Sequence, residues 1–214
     1  MTEGKNKIQG LYTFADTTYC PHLTHAELAR QLLKGGAKII QLRIKNKSIS
    51  EITRIAKEIM ALKKEHGFTF IVNDNPQICA DVDADGVHVG QEDIPVSQAR
   101  KIVGPNKIIG LSTHSLDQAR AAQNEDVNYI GLGGIFPTQT KPAGHPVLGV
   151  GILKKVVDLS RVPVVAIGGI NRTNVKDIVA TGAASFAIVS AINAADDIKL
   201  ETNIFTTAQT GSSF

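Results

Sequence analysis

The sequence lacks the features that would assign it to a membrane, a nucleic acid or an oxidising compartment. Cysteine is scarce: Cys20 and Cys79 are the only two in 214 residues. They form no C-x-x-C and no metal-type spacing, which excludes a disulfide framework and fits a reduced, cytoplasmic setting. Charge of one sign is also missing. With 23 basic and 20 acidic residues, the net charge is +3, too balanced to mark a binder of nucleic acid or of an anionic membrane surface. No apolar run is long enough to cross a bilayer. Met1–Lys7 is polar and lacks the apolar segment of a secretion signal. No linker, low-complexity tract or composition shift divides the chain. What is present is a 43% hydrophobic sequence, enough to bury a substantial core.

That hydrophobicity alternates. Short apolar runs occur at Gly10–Phe14, Lys38–Ile44, Phe68–Val72, Gly86–Val89, Lys107–Leu111, Val127–Leu132, Pro163–Ile167 and Ser185–Val189. Between them lie stretches of helical period. In Ser50–His66, residues Ile52, Ile55, Ala56, Ile59 and Leu62 share one face, with Ser48 or Ser50 as N-cap and Gly67 as the stop. Similar helices are expected at Thr24–Lys34, Ser97–Val103, Ser115–Asn124, Gly151–Leu159, Thr173–Ala180 and from Asp196 onward, with a turn or two at Pro76–Val82. Strand then helix, eight times, implies parallel strands joined by crossovers. The expected fold class is therefore α/β, a single (β/α)8 TIM barrel over residues 8–206, with flexible tails at 1–7 and 207–214. An open doubly wound sheet is the rival.

In such a barrel function lies at the carboxyl ends of the strands. In the second run Gln41, Arg43 and Lys45 alternate with Leu42 and Ile44, so the three polar residues face inward. Cations aimed inward call for an anion, either an internal ion pair or a ligand. The third and fourth runs lead to Asn73-Asp74 and to Glu92-Asp93. Carboxylates there would balance the cations, hold Mg²⁺ beside a substrate phosphate, or both. The fifth run ends Ser112-Thr113-His114, which suits substrate contact or a helix cap equally. The sixth opens into a loop, Gly134–Gly144, carrying Thr138, Thr140 and Lys141 on a backbone set by glycine and proline. The seventh ends Gly168-Gly169 and the eighth Val189-Ser190 before a short helix, a phosphate-type arrangement in which the glycines also serve close packing. Two anion sites on one rim would bring two phosphorylated molecules together.

From Leu11 to Ile192 the chain resembles the thiamine phosphate synthases, through LYTFAD (11–16), QLRIK (41–45), VND (72–74), ADGVHVGQED (84–93), GLSTH (110–114), YIGLGGIFPTQTK (129–141), VAIGGI (165–170) and AIVSAI (187–192). The resemblance implies a transferase that joins 4-amino-2-methyl-5-hydroxymethylpyrimidine diphosphate to hydroxyethylthiazole phosphate and releases pyrophosphate. It implies pyrimidine and diphosphate contacts at Gln41, Arg43, Lys45, Asn73, Ser112 and Lys141, with Tyr129 near the pyrimidine. It further implies Mg²⁺ at Asp74 and Asp93, and thiazole phosphate at Thr138, Thr140, Gly169, Val189 and Ser190. Arg43, Lys45 and Lys141 would stabilise the departing charge. Departures from the family pattern are Ile44 in place of an acid, Asn75-Pro76 after the aspartate, and Cys79 for a small residue. A thiazole tautomerase or a non-catalytic barrel that binds thiamine phosphate are the alternatives. Small-molecule partners are expected, without nucleic acid or membrane; a homodimer is left open.

Overall fold

The structure, a computed structural model, describes residues 7–138 and 147–208. Eight parallel strands close into a barrel: β1 (Gly10–Ala15), β2 (Ile39–Leu42), β3 (Thr69–Asn73), β4 (Gly86–Val89), β5 (Ile108–Thr113), β6 (Tyr129–Gly133), β7 (Val164–Ile167) and β8 (Ser185–Ile188). Tyr12 pairs with Ala187 of β8 and with Ile39 of β2, so β1 joins the two ends of the sheet. The open sheet is thereby excluded. Among the described residues no helix is long and apolar enough to cross a membrane.

The helices follow local chemistry. Thr24 and Glu27 form a capping box at α1 (His25–Lys34), and Ser48 and Glu51 do the same at α2 (Ile49–Ala61), each satisfying amides that the helix leaves without partners. α2 stops short of the expected His66. Its last residues tighten into a 3₁₀ turn, Leu62–Lys64, which brings Lys63 to Asp85 and 5.7 Å above the Phe68 ring. Asn75 caps α3 (Pro76–Asp81), and the proline stands in the first turn, where its missing amide costs nothing. The chain continues with α4 (Val96–Val103), α5 (Leu116–Ala121), α6 (Gly149–Leu159), α7 (Val175–Ala180), the one-turn α8 (Ser190–Asn193) and α9 (Ile198–Ala208). Since α9 runs to Ala208, Thr207 and Ala208 are helical rather than part of a tail. Residues 1–6 and 209–214 lie outside the described residues.

Period-two alternation sorts each strand into two cores. Outward residues such as Leu11, Ala15, Ile40 and Leu42 pack under the helices. Inward residues, among them Tyr12, Phe14, Ile39, Ile71, Tyr129 and Val165, fill the barrel. The inner set carries the polar heads that reach the carboxyl-terminal rim. β2 ends two residues earlier than its apolar run implies. Its ladder closes with the Arg43 amide donating to Ala15 O at 3.3 Å, so Arg43, Ile44 and Lys45 belong to the following loop.

Candidate active site

Two adjoining cavities open at the carboxyl ends of the strands and share Ile167 and Ala187 as a common wall. The first is lined by Gln41, Arg43, Asn73, Ser112 and Tyr129. Five residues singled out from sequence thus meet in one chamber. Arg43 is held there by Asp16, its Nη1 lying 2.5 Å from Oδ2. Asp16 is 4% exposed and also accepts from the Thr18 amide at 3.0 Å and hydroxyl at 2.5 Å. Burial alone would raise the Asp16 carboxyl. The two Thr18 hydrogen bonds and the Arg43 guanidinium outweigh it and hold the group below the usual carboxylate range. Lys45 is exposed and does not line the chamber. The alternation that would turn it inward lapses where β2 ends, and Asn46 turns the backbone at φ 61°.

Asp74 and Asp93 come together next to Asn73, which lines this chamber. Asp74 adopts φ 60°, anchored by its amide donating to His88 O at 2.8 Å. Its carboxyl is in hydrogen-bonding contact with that of Asp93, while the Gly90 amide donates to Asp93 Oδ2 at 2.7 Å and Asn73 Nδ2 to Asp74 Oδ2 at 2.5 Å. Desolvation and the neighbouring Asp93 charge push Asp74 up to about 6. Because Asp74 is exposed to water, the facing carboxylate is the more specific of these two causes. Two neighbouring carboxylates are a donor set that a divalent cation would suit. Among the described residues no cluster of three or more potential metal-binding side chains forms. Glu92 is exposed.

The second cavity is built differently. Thr138, Gly168, Gly169, Val189 and Ser190 line it. Gly168 and Gly169 have φ 107° and 65°, conformations that side chains disfavour. A Cβ at Gly169 would meet Pro137 O at 2.4 Å and Phe136 Cβ at 2.8 Å. The close approach of the β6 and β7 loops therefore requires glycine. Thr140 and Lys141 lie outside the described residues. His114 Nδ1 donates to Gly133 O at 2.8 Å, and Ser115 caps α5 by accepting from the Gln118 amide at 3.1 Å.

Tyr12 and His88, which line the first chamber, and Asp16, which holds Arg43 in it, were not singled out from the sequence. Tyr12 and Asp16 stand at steps of two on β1 and its end, and His88 is the single polar residue of β4. Inward periodicity was the signal that could have found them.

The match to known proteins agrees with this architecture. Residues 11–192 fit the family model described as thiamine monophosphate synthase. The thiamine-phosphate synthase of Methanospirillum hungatei is 41% identical over 189 residues, 88% of this chain and 92% of that protein. That of Pyrococcus horikoshii is 42% identical over 198 residues, 92% of this chain and 93% of that protein. A solved structure, the thiamine phosphate pyrophosphorylase from Pyrococcus furiosus, superposes with a TM-score of 0.88 at 37% identity, covering 97% of this chain and 98% of its own. This chain belongs to the thiamine monophosphate synthase family of transferases.

Proposed function

We propose that the protein condenses 4-amino-2-methyl-5-hydroxymethylpyrimidine diphosphate with hydroxyethylthiazole phosphate, giving thiamine phosphate and pyrophosphate, in the cytoplasm. The observation that carries this reading is the pair of chambers sharing a wall, one edged by a cation and paired carboxylates, the other by glycine backbone. Such a pair holds two anionic molecules with their reactive ends adjacent. Cys20 and Cys79, buried and unpaired, are in keeping with a reducing compartment.

The pyrimidine diphosphate enters the first chamber, with its ring between Gln41, Ser112 and Tyr129 and its diphosphate toward Arg43 and Asn73. Asp74 and Asp93 would hold Mg²⁺. When bound, the ion supplies charge neutralisation to the diphosphate. Arg43, with Lys141 as a further cation, stabilises the charge that grows on the leaving oxygen. The bond between the exocyclic carbon and the diphosphate oxygen breaks, and its electron pair leaves with the diphosphate. The aminopyrimidine ring delocalises the resulting cation. The thiazole nitrogen, presented from the second chamber by a phosphate held at Thr138, Thr140, Gly169, Val189 and Ser190, donates its lone pair to that carbon. No proton moves at bond formation, so the step needs no general base. The contact between Asp74 and Asp93 weighs against a tautomerase or a non-catalytic sensor, either of which could lose it.

Mixing the purified protein with both substrates and Mg²⁺ should release one pyrophosphate for each thiamine phosphate formed. Release of pyrophosphate without thiamine phosphate, or no turnover at all, would refute the assignment.

A further inference from the structure

We propose that Tyr12, Tyr129 and His88 are positioning residues that set the donor–acceptor polarity of the first chamber and so select an amino-substituted pyrimidine over its oxo counterpart. This rests on the reading of that chamber as a pyrimidine site. A continuous hydrogen-bond chain crosses the barrel beneath it. Gln41 Nε2 donates to the Tyr12 hydroxyl at 2.8 Å. Tyr12 and Tyr129 hydroxyls lie 2.8 Å apart, Tyr129 lies 2.9 Å from His88 Nδ1, and His88 Nε2 lies 2.8 Å from Ser112 Oγ. The chain starts and ends on two residues that face the ligand, on β2 and β5.

Its direction is not free at each link. Both phenols are buried, and burial first of all raises them well above the ordinary tyrosine value, so each keeps one proton to give. With the Gln41 amine toward Tyr12, the Tyr12 proton goes to Tyr129 and the Tyr129 proton to His88 Nδ1. A neutral imidazole then carries its proton on Nε2 and donates it to Ser112. A phenol that instead accepted on both sides would leave its own buried O–H without a partner, which is costly. Two consequences reach the chamber together. Gln41 presents its carbonyl oxygen, and Ser112, already accepting from His88, presents its proton. A ring with an exocyclic amine to donate and a ring nitrogen to accept satisfies both. To serve an oxo group Gln41 must turn over. The whole chain then reverses, Nδ1 takes the imidazole proton, and Ser112 becomes an acceptor. One mismatch is thus converted into two.

The surrounding backbone is cut to fit this chain. A Cβ on Gly110 would meet the Tyr129 ring at 2.1 Å and His88 Nδ1 at 2.5 Å, and one on Gly131 would lie 3.3 Å from His88 Cε1. Two glycines on neighbouring strands therefore make the room in which the imidazole and phenol meet, their ring centres 5.4 Å apart.

The tautomer is directly observable. Two-bond ¹⁵N–¹H correlation spectra of the full chain, saturated with the 4-amino pyrimidine diphosphate, should show His88 protonated on Nε2; protonation on Nδ1 would overturn the proposal. Turnover gives a second reading. The wild type should favour the 4-amino substrate over its 4-oxo analogue by about 100-fold or more in kcat/KM. Tyr129→Phe and His88→Leu should shrink that ratio to within about tenfold, through KM for the pyrimidine, with KM for thiazole phosphate unchanged. His88→Gln, which keeps one donor and one acceptor, should recover part of it. A folded Tyr129→Phe protein with the wild-type ratio would sink the idea. If the wild type bound neither pyrimidine, the functional reading itself would fall; an Nδ1–H tautomer in a bound, active complex would fell only the polarity claim.

Discussion

The two sides of the rim are built by opposite means. On the β1–β4 side the work is done by side chains: Arg43 fixed by Asp16, and the carboxylates Asp74 and Asp93 brought into contact. On the β6–β8 side it is done by backbone, with Gly168 and Gly169 at φ 107° and 65° leaving no room for a Cβ. The first arrangement depends on charge and can be undone without moving an atom. The second depends on shape and responds only to bulk. A single substitution of each kind should therefore separate the two chambers.

The largest effect is expected from Asp93→Asn. Asparagine keeps an oxygen to accept from the Gly90 amide, now at 2.7 Å, so the turn survives and only the charge is lost. Turnover should fall about 1,000-fold, because the proposed Mg²⁺ would lose one of its two carboxylates and with it several kcal/mol of charge stabilisation. Calorimetric binding of thiazole phosphate alone should stay within about twofold of wild type. Equal loss of both would show that the chambers are not separable.

Gly169→Ala tests the other side. Its φ of 65° disfavours a side chain, and the added Cβ would sit 2.4 Å from Pro137 O. The β6 loop must give way. Affinity for thiazole phosphate should drop by roughly 10- to 100-fold and stability to urea by about 2–3 kcal/mol, while pyrimidine diphosphate still binds. Unchanged thiazole phosphate affinity in this variant would remove the backbone from the phosphate site.

The same contrast explains what could be read from the sequence. The barrel was legible because each strand and helix announces itself locally, through apolar runs, the Thr24 and Ser48 caps, and the glycines after β7. The side-chain chamber was legible in part. Gln41, Arg43, Asn73 and Ser112 stand at strand ends, where periodicity predicts direction. Lys45 shows the limit: alternation holds only while the ladder lasts, and the ladder closes at Arg43. Asp16 and His88 were harder because their roles lie in what they touch. The partners of Asp16 are two and 27 residues away, and the His88 ring meets residues 24 and 41 positions on. No local pattern encodes those distances.

Asp16 also gives the mildest test, since it acts on the charged chamber only through Arg43. Asp16→Asn leaves an acceptor for Thr18 but removes the charge facing a guanidinium that is 27% exposed. Partial access to water softens the loss, so stability at neutral pH should fall by about 1–3 kcal/mol rather than more. The rate should fall about tenfold, chiefly through a higher KM for the pyrimidine diphosphate. The effect has a defined pH window. The folded Asp16 carboxyl is held below its ordinary value of 3.8, so the stability it contributes is complete above pH about 4, where the unfolded group is also ionised. It declines as pH falls further and the folded carboxylate takes up its proton. Urea titrations of wild type and Asp16→Asn should therefore differ at pH 7 and converge as pH drops below about 4. Parallel curves across that range would mean that the carboxylate charge does not hold Arg43. The orientation of the cation would then have to come from the β2 loop backbone alone, and the difference between the two sides of the rim would be one of degree.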